Sequence, residues 1–149
     1  MIDIRLVSVA EHSDSVSELI ADNWHESGLA DHKLNVSLRN DKYLELERSG
    51  VLFALAAFEG EKIVGYSVNF VSRLMHSAET TFASNDVIFV GKEHREGRLG
   101  LSLIRKTEEE AKRRGASLMV WGAKPDSRFA SLLPRIGYAV GEVSFVRGM

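Results

Sequence analysis

The stretch from Val87 to Ile104 restricts the fold of this chain more than any other. Val87, Ile88, Phe89 and Val90 form an apolar, strand-like run. A turn rich in glycine and charge follows, and a helical pattern opens near Arg98 and runs to Arg114. Leu118 to Ala123 then reads as a second strand. A strand–helix–strand unit needs a crossover, so its two strands should be parallel and the connection right-handed. A helix that opens straight from such a turn also presents free N–H groups and the positive end of its dipole there. Gly97 and Gly100 let backbone approach a bulky phosphate, and Arg95 and Arg98 bring positive charge to the same place. The unit is a candidate cradle for a phosphorylated ligand.

The rest of the chain supplies the other layers. Ile2, Ile4 and Leu6 alternate with Asp3, Arg5 and Val7, the period of a strand. Val16, Leu19, Ile20 and Asn23-Trp24 carry helical spacing, with Ser13 or Asp14 as a candidate cap. Gly28 and residues 31 to 35 read as a loop. A second helix is expected over Leu38 to Arg48, stopped by Ser49-Gly50. Val51 to Phe58 and Ile63 to Val71 flank a short Gly-bearing turn and predict a hairpin, and Thr80 to Val90 predicts a further strand. In the long helix, three acid-first i,i+4 pairs are available: Glu108–Lys112, Glu109–Arg113 and Glu110–Arg114. Ser127 to Arg135 predicts a short helix and Tyr138 to Arg147 a last strand. The order β-α-α-β-β-β-α-β-α-β implies an α/β domain over 1–149, with a mixed, mostly antiparallel sheet and helices on both faces.

Bulk properties exclude several classes of function. The 149 residues are enough for one domain with a real core. A net charge of −2 with dispersed Lys and Arg argues against nucleic-acid binding. There are no cysteines, so disulfides and thiolate nucleophiles are excluded. The five histidines are scattered without ligand-pair spacing, and no metal site is expected. No apolar run approaches the ~18 residues of a membrane span, and the N-terminus reads as a strand, so a cytoplasmic location is expected.

The element order and the turn resemble those of the GCN5-related N-acetyltransferase (GNAT) family over nearly the whole chain. The family's turn reads Arg/Gln-x-x-Gly-x-Gly/Ala, and here it reads Arg95-Glu96-Gly97-Arg98-Leu99-Gly100, with Arg98 where the first Gly is usual. Ile136-Gly137-Tyr138 stands where the family has Gly-Phe after its C-terminal helix. Residues 85–90, 121–125 and 132–138 further resemble small acetyltransferase-like proteins encoded by bacteriophages, which would place the protein in a host cytoplasm. The resemblance implies a GNAT-like acyl-CoA N-acyltransferase fold of six to seven strands. It implies acetyl-CoA as cosubstrate, in a cleft where the fourth and fifth strands splay. Backbone of Ile88, Phe89 and Val90 would pair with the pantetheine arm, and amides of residues 95–100 (Arg95, Glu96, Gly97, Arg98, Leu99, Gly100) would hold the pyrophosphate. An amine would attack the thioester directly in a ternary complex, and coenzyme A would leave as a thiol.

Such chemistry needs a base for the incoming ammonium. Asp86, His76 and Glu79 are the candidates. Asp86 interrupts an apolar strand just before the cofactor segment, and His76 has a pKa suited to work near neutrality. Many family members protonate the leaving thiolate with a Tyr five residues before the Phe of Gly-Phe. Leu133 stands there in this chain, which leaves Tyr138 as the candidate acid. Asn85, Trp24 and Trp121 are candidates for contact with the acceptor, a small-molecule or protein amine; core packing is the competing role for Trp121. The alternative is a non-catalytic acyl-CoA-binding or protein-interaction module on the same fold, and a third reading is an accessory phage protein that merely reuses it. The chain could be a monomer or a homodimer, and the last strand is an edge on which two copies could pair.

Overall fold

The computed structural model describes residues 1–32, 34 and 36–149. Its elements run β1 (Ile2–Val7), α1 (Val9–His12), α2 (Ser17–Ser27), a 3-10 turn (Leu29–His32), α3 (Asn40–Arg48), β2 (Leu52–Glu59), β3 (Lys62–Leu74), β4 (Ser77–Val90), α4 (Leu99–Arg113), β5 (Leu118–Val120) and α5 (Arg128–Arg135). The five strands form one sheet in sequence order. All neighbours are antiparallel except β4 and β5, which run parallel on either side of α4. The fold class expected from the sequence is the one observed.

Helices cover both faces because β2 and β3 are buried along nearly their whole length. On one face Leu52, Ala54, Ala56, Tyr66, Val68 and Phe89 pack under Val9, Leu19, Ile20, Tyr43 and Leu46 of α1 to α3. On the other, Phe53, Leu55, Val71 and Ala83 pack under Leu103 and Ala111 of α4. Leu103 is fully buried, so its truncation to Ala would cost about 2–5 kcal/mol.

Four expectations need correction. The expected last strand, Tyr138 to Arg147, has no strand structure, so the sheet has five strands among the described residues rather than six or seven. A strand exists only where a neighbour accepts its ladder bonds, and this segment lies off the sheet. An unexpected short α1 precedes the first expected helix, which is α2; its N-cap residue is Val16, with no side-chain cap from Ser13 or Asp14. On α4 only Glu110–Arg114 forms of the three i,i+4 pairs. Glu108 and Glu109 instead take Arg105 and Lys106 one turn back. The loop expected at 31–35 includes residues 33 and 35, which lie outside those described, and Asp31–His32 belong to the 3-10 turn.

Candidate active site

One irregularity of strand β4 shapes the candidate site. Val68 pairs with Val87 but Asn69 pairs with Asn85, so Asp86 is the extra residue of a β-bulge. A bulge leaves its extra residue without a ladder partner and re-aims the side chains beside it. Asn85 turns to the α4 face, where its amide nitrogen reaches Asn69 Oδ1 at 2.8 Å, Ser67 Oγ at 3.3 Å and the carbonyl oxygens of Val68 and Val87. Thr107 of α4 donates to the same Ser67 hydroxyl at 3.0 Å. Asn85 therefore clips the bulge together from the side away from Asp86.

Asp86 faces α1 to α3 instead. It shares that space with Tyr43 of α3, whose phenol pKa is raised by burial first and by the Asp86 charge second. Tyr66 of β3 is buried there, with its ring 6.1 Å from that of Phe89 and its hydroxyl bonded to the Asn23 side chain. Burial raises the Tyr66 phenol strongly. Asp86 exposes much of its surface and is nonetheless crowded by protein atoms on its other side. That crowding removes water and raises its pKa above the usual carboxylate range.

The same bulge marks where the sheet opens. Strand β5 pairs with β4 only at Phe82, Ala83 and Ser84. Beyond Ser84 the two strands part, and among the described residues the edge of β4 from Asn85 to Val90 that faces away from β3 has no strand beside it. The Gly91 N–H donates to the Val64 carbonyl on β3. By the alternation of an antiparallel ladder, Phe89 also faces β3, while Ile88 and Val90 turn their backbone to the open edge. That edge leads directly into the turn before α4.

At the turn, the Ser102 N–H donates to the Arg98 carbonyl to open α4, and the N-cap residue Arg98 supplies no side-chain cap. The amides of Leu99, Gly100 and Leu101 have no helical acceptors. Neither Gly97 nor Gly100 has a positive φ, and a Cβ built on either would meet no protein atom within 4 Å. The fold itself does not require glycine at either position. Arg98 is exposed and forms no ion pair among the described residues, and Glu96 is exposed beside it. Leu99 points inward and is buried.

Arg95 lies differently from its neighbours. Its Nε donates to the Val90 carbonyl at 2.7 Å, and its two terminal nitrogens each donate to Glu26 on α2 at 2.9 Å. The Glu26 carboxylate is held below its ordinary pKa chiefly by that hydrogen bond. Lys124, past β5, donates to the Glu26 backbone carbonyl. The end of α2 is thereby tied to both arms of the splay.

The remaining candidates are spread out. His76 sits in the β3–β4 turn and Glu79 near the start of β4. His76 is ten residues from Asp86 along the strand, roughly 30 Å at strand rise, which separates both residues from the cleft. Trp24 is half-buried on α2 and its indole donates to the Leu34 carbonyl at 3.1 Å, anchoring the loop after α2. Trp121 lies just past β5, edge-on to Phe129 and Tyr138, and its Nε1 is buried near the Tyr138 phenol without forming a hydrogen bond. Tyr138 donates to Glu108 at 2.8 Å, on the side of α4 near β5. Burial first, then Glu108, pushes its phenol up to about 12. Leu133 is buried in the core. No three His, Asp or Glu side chains gather in metal-binding reach among the described residues.

Sequence reasoning missed Tyr43, Tyr66 and the side-chain role of Asn23. Tyr66 was within reach: Tyr66, Val68 and Phe70 alternate with Ser67 and Asn69 on a strand buried on both faces. Polar residues in such a strand must find partners inside the fold.

An acetyltransferase (GNAT) family model matches residues 14–138. The chain belongs to the GNAT family. Solved structures similar to it include a ribosomal-protein-alanine N-acetyltransferase from Brucella melitensis biovar Abortus 2308, with 19% identity, TM-score 0.72 and coverage of 99% of this chain and 98% of that one. An aminoglycoside acetyltransferase from an uncultured soil metagenomic sample has 20% identity, TM-score 0.75 and coverage of 100% and 99%. A Trypanosoma brucei acetyltransferase has 13% identity and TM-score 0.76, with both chains fully covered. At these identities the likeness concerns the fold. No curated protein sequence matches this GNAT chain significantly.

Proposed function

We propose that this GNAT protein is an acetyl-CoA-dependent N-acetyltransferase that modifies a primary amine by direct attack in a ternary complex. One observation carries the reading. The open β4 edge leads into the uncapped N-terminus of α4, while Asp86, the extra residue of the bulge, stands near Tyr43 of α3. A linear ligand with an anionic end fits the first feature and a cationic amine fits the second.

Acetyl-CoA supplies the acetyl group as an activated thioester. The chain's own residues hold it and prepare the amine. Amides of Leu99, Gly100 and Leu101, with the Arg98 side chain, suit the pyrophosphate. Backbone of Ile88 and Val90 suits the pantetheine arm, although the Val90 carbonyl is already taken by Arg95. Fixed N–H donors on that edge can stabilise an oxyanion without reorganising. Asp86 attracts the ammonium and takes its proton, and its raised pKa makes it a better base than an ordinary carboxylate. Tyr43 and Tyr66 offer aromatic faces beside that charge. Two proteins of similar fold are named a ribosomal-protein-alanine N-acetyltransferase and an aminoglycoside acetyltransferase, which supports an amine acceptor here.

The test is titration calorimetry with acetyl-CoA, followed by detection of released thiol with a panel of primary amines. Saturable binding and amine-dependent thiol release are expected. Absence of binding at millimolar acetyl-CoA would sink the reading. The position of Leu133 favours a second reading, a non-catalytic acyl-CoA-binding module, which predicts binding without thiol release for any amine.

A further inference from the structure

A groove of about 290 Å³ passes the end of β1 and the start of β2. Strand β3 separates it from β4 and the candidate site. Leu6, Val7 and Phe53 give it apolar walls. Three charged side chains also line it: Glu11 of α1, Glu47 of α3 and Arg114, the C-cap residue of α4.

Opposite charges in one groove attract and would close into an ion pair if nothing held them. Among the described residues no ion pair joins Arg114 to Glu11 or Glu47. Two of the three charges are tethered instead. Glu47 Oε1 accepts the Val9 N–H at 2.8 Å. Arg114 Nε donates to Glu110 at 2.8 Å, and its guanidinium carbon lies 4.9 Å from the centre of the Phe53 ring. These tethers leave the second Glu47 oxygen and both terminal nitrogens of Arg114 without a partner among the described residues. The Ser8 hydroxyl, also at this groove, is buried and makes no hydrogen bond among the described residues. Native proteins rarely leave a buried hydroxyl unpaired.

We propose that the groove binds a free α-amino acid with an apolar side chain, its carboxylate on the terminal nitrogens of Arg114 and its ammonium on Glu11 and Glu47. The charge pattern selects the ligand. A simple anion would leave the two carboxylates unanswered and be repelled by them, and a simple amine would leave the guanidinium unanswered. A zwitterion satisfies both ends. Arg114 suits its carboxylate because a guanidinium presents paired N–H donors in one plane. The volume lies at the small end of ligand pockets, which fits one amino acid and is too small for a nucleotide. Charges already fixed by the fold cost little further ordering when the ligand arrives. The site is separate from the acetyl-transfer cleft, yet Glu47 stands one turn beyond Tyr43 on the same face of α3.

Titration calorimetry of the full chain with L-leucine tests this, with circular dichroism as the check on folding. Saturable binding at ~1 mM or tighter is expected, and 4-methylpentanoate and 3-methylbutylamine, which each lack one of the two charges, should bind at least about tenfold more weakly. Glu11→Gln/Glu47→Gln keeps an acceptor for the Val9 N–H and should abolish the advantage of leucine over 4-methylpentanoate. Arg114→Gln should abolish its advantage over 3-methylbutylamine; should that variant fail to fold, the Gln pair carries the test. Leucine binding should persist with saturating coenzyme A and in Asp86→Asn. No saturable binding of L-leucine, L-valine or L-phenylalanine by ~20 mM overturns the proposal, as does unchanged selectivity in the folded Gln pair. Displacement by coenzyme A, or loss of binding in Asp86→Asn, would put the amino acid in the acetyl-transfer cleft and also overturns it.

Discussion

The Glu26 carboxylate receives both terminal nitrogens of Arg95, each at 2.9 Å. The third guanidinium nitrogen holds the Val90 carbonyl, and the group lies 5.0 Å from the Phe89 ring centre. A guanidinium so occupied fastens α2 to the end of β4 and has little capacity left for a phosphate. In a double-mutant cycle of Glu26→Gln and Arg95→Gln read by denaturant melts, the coupling should be about 0.5–1 kcal/mol, the scale of a partly exposed pair. Arg98→Ala should leave stability within about 0.5 kcal/mol. It should weaken acetyl-CoA binding, in calorimetry, more than Arg95→Gln does. The reverse order would return the phosphate role to Arg95.

Gly100 lies in the first turn of α4 with open space where a Cβ would stand. Alanine is the better helix former by about 1 kcal/mol in a helix interior, and somewhat less at a terminus. Gly100→Ala should therefore raise the melting temperature slightly. If the cofactor backbone passes through that space, the same change should weaken acetyl-CoA binding by about tenfold, some 1.4 kcal/mol. A variant that is more stable and binds normally would show that nothing occupies the space.

Asp86 links activity and stability with opposite signs. As a base it must be ionised, so kcat/KM should rise with pH through a pKa above the ordinary carboxylate value, and Asp86→Asn should remove that limb and about 10²–10⁴ of the rate. For folding, a raised native pKa means that the native state binds more protons than the unfolded one between the two pKa values. Stability then falls as pH rises from the unfolded value of 3.8 through the native value. Asp86→Asn removes this penalty, so thermal melts near neutral pH should show equal or higher stability for the variant. A clear loss of stability would make Asp86 a structural partner instead.

The elements legible in the sequence are those fixed by local pattern. Leu103, Ile104, Thr107 and Ala111 mark one face of α4, and Gly115, with a φ of +92°, marks its end. The β2–β3 hairpin was equally readable, because two apolar runs flank Gly60 at a φ of +62°. The site was half legible. The turn is a local motif, but the bulge adds one residue without any change of composition. It puts Asn85 and Val87, two residues apart, on opposite faces of the sheet, and only the register with β3 reveals this. The same limit applies to Arg95, whose partner is 69 residues away on α2. The C-terminal alternation is real, but alternation does not specify which edge receives a strand.

The buried network under the bulge separates two roles that share one hydrogen-bonded cluster. Ser67, Asn69 and Thr107 are fully buried, and Asn85 joins them while bonding the Val68 and Val87 carbonyls on either side of the bulge. Removing one member strands its partners, which costs about 1–3 kcal/mol. Thr107→Val leaves Ser67 short of one donor but does not touch the bulge, so it should lower stability with kcat unchanged. Asn85→Ala should lower stability by a similar amount and also reduce kcat, because nothing then holds the strand that aims Asp86. Chemical denaturation paired with single-turnover kinetics on the two variants distinguishes the effects. Equal kcat in both would mean that the bulge keeps its shape without the Asn85 clip.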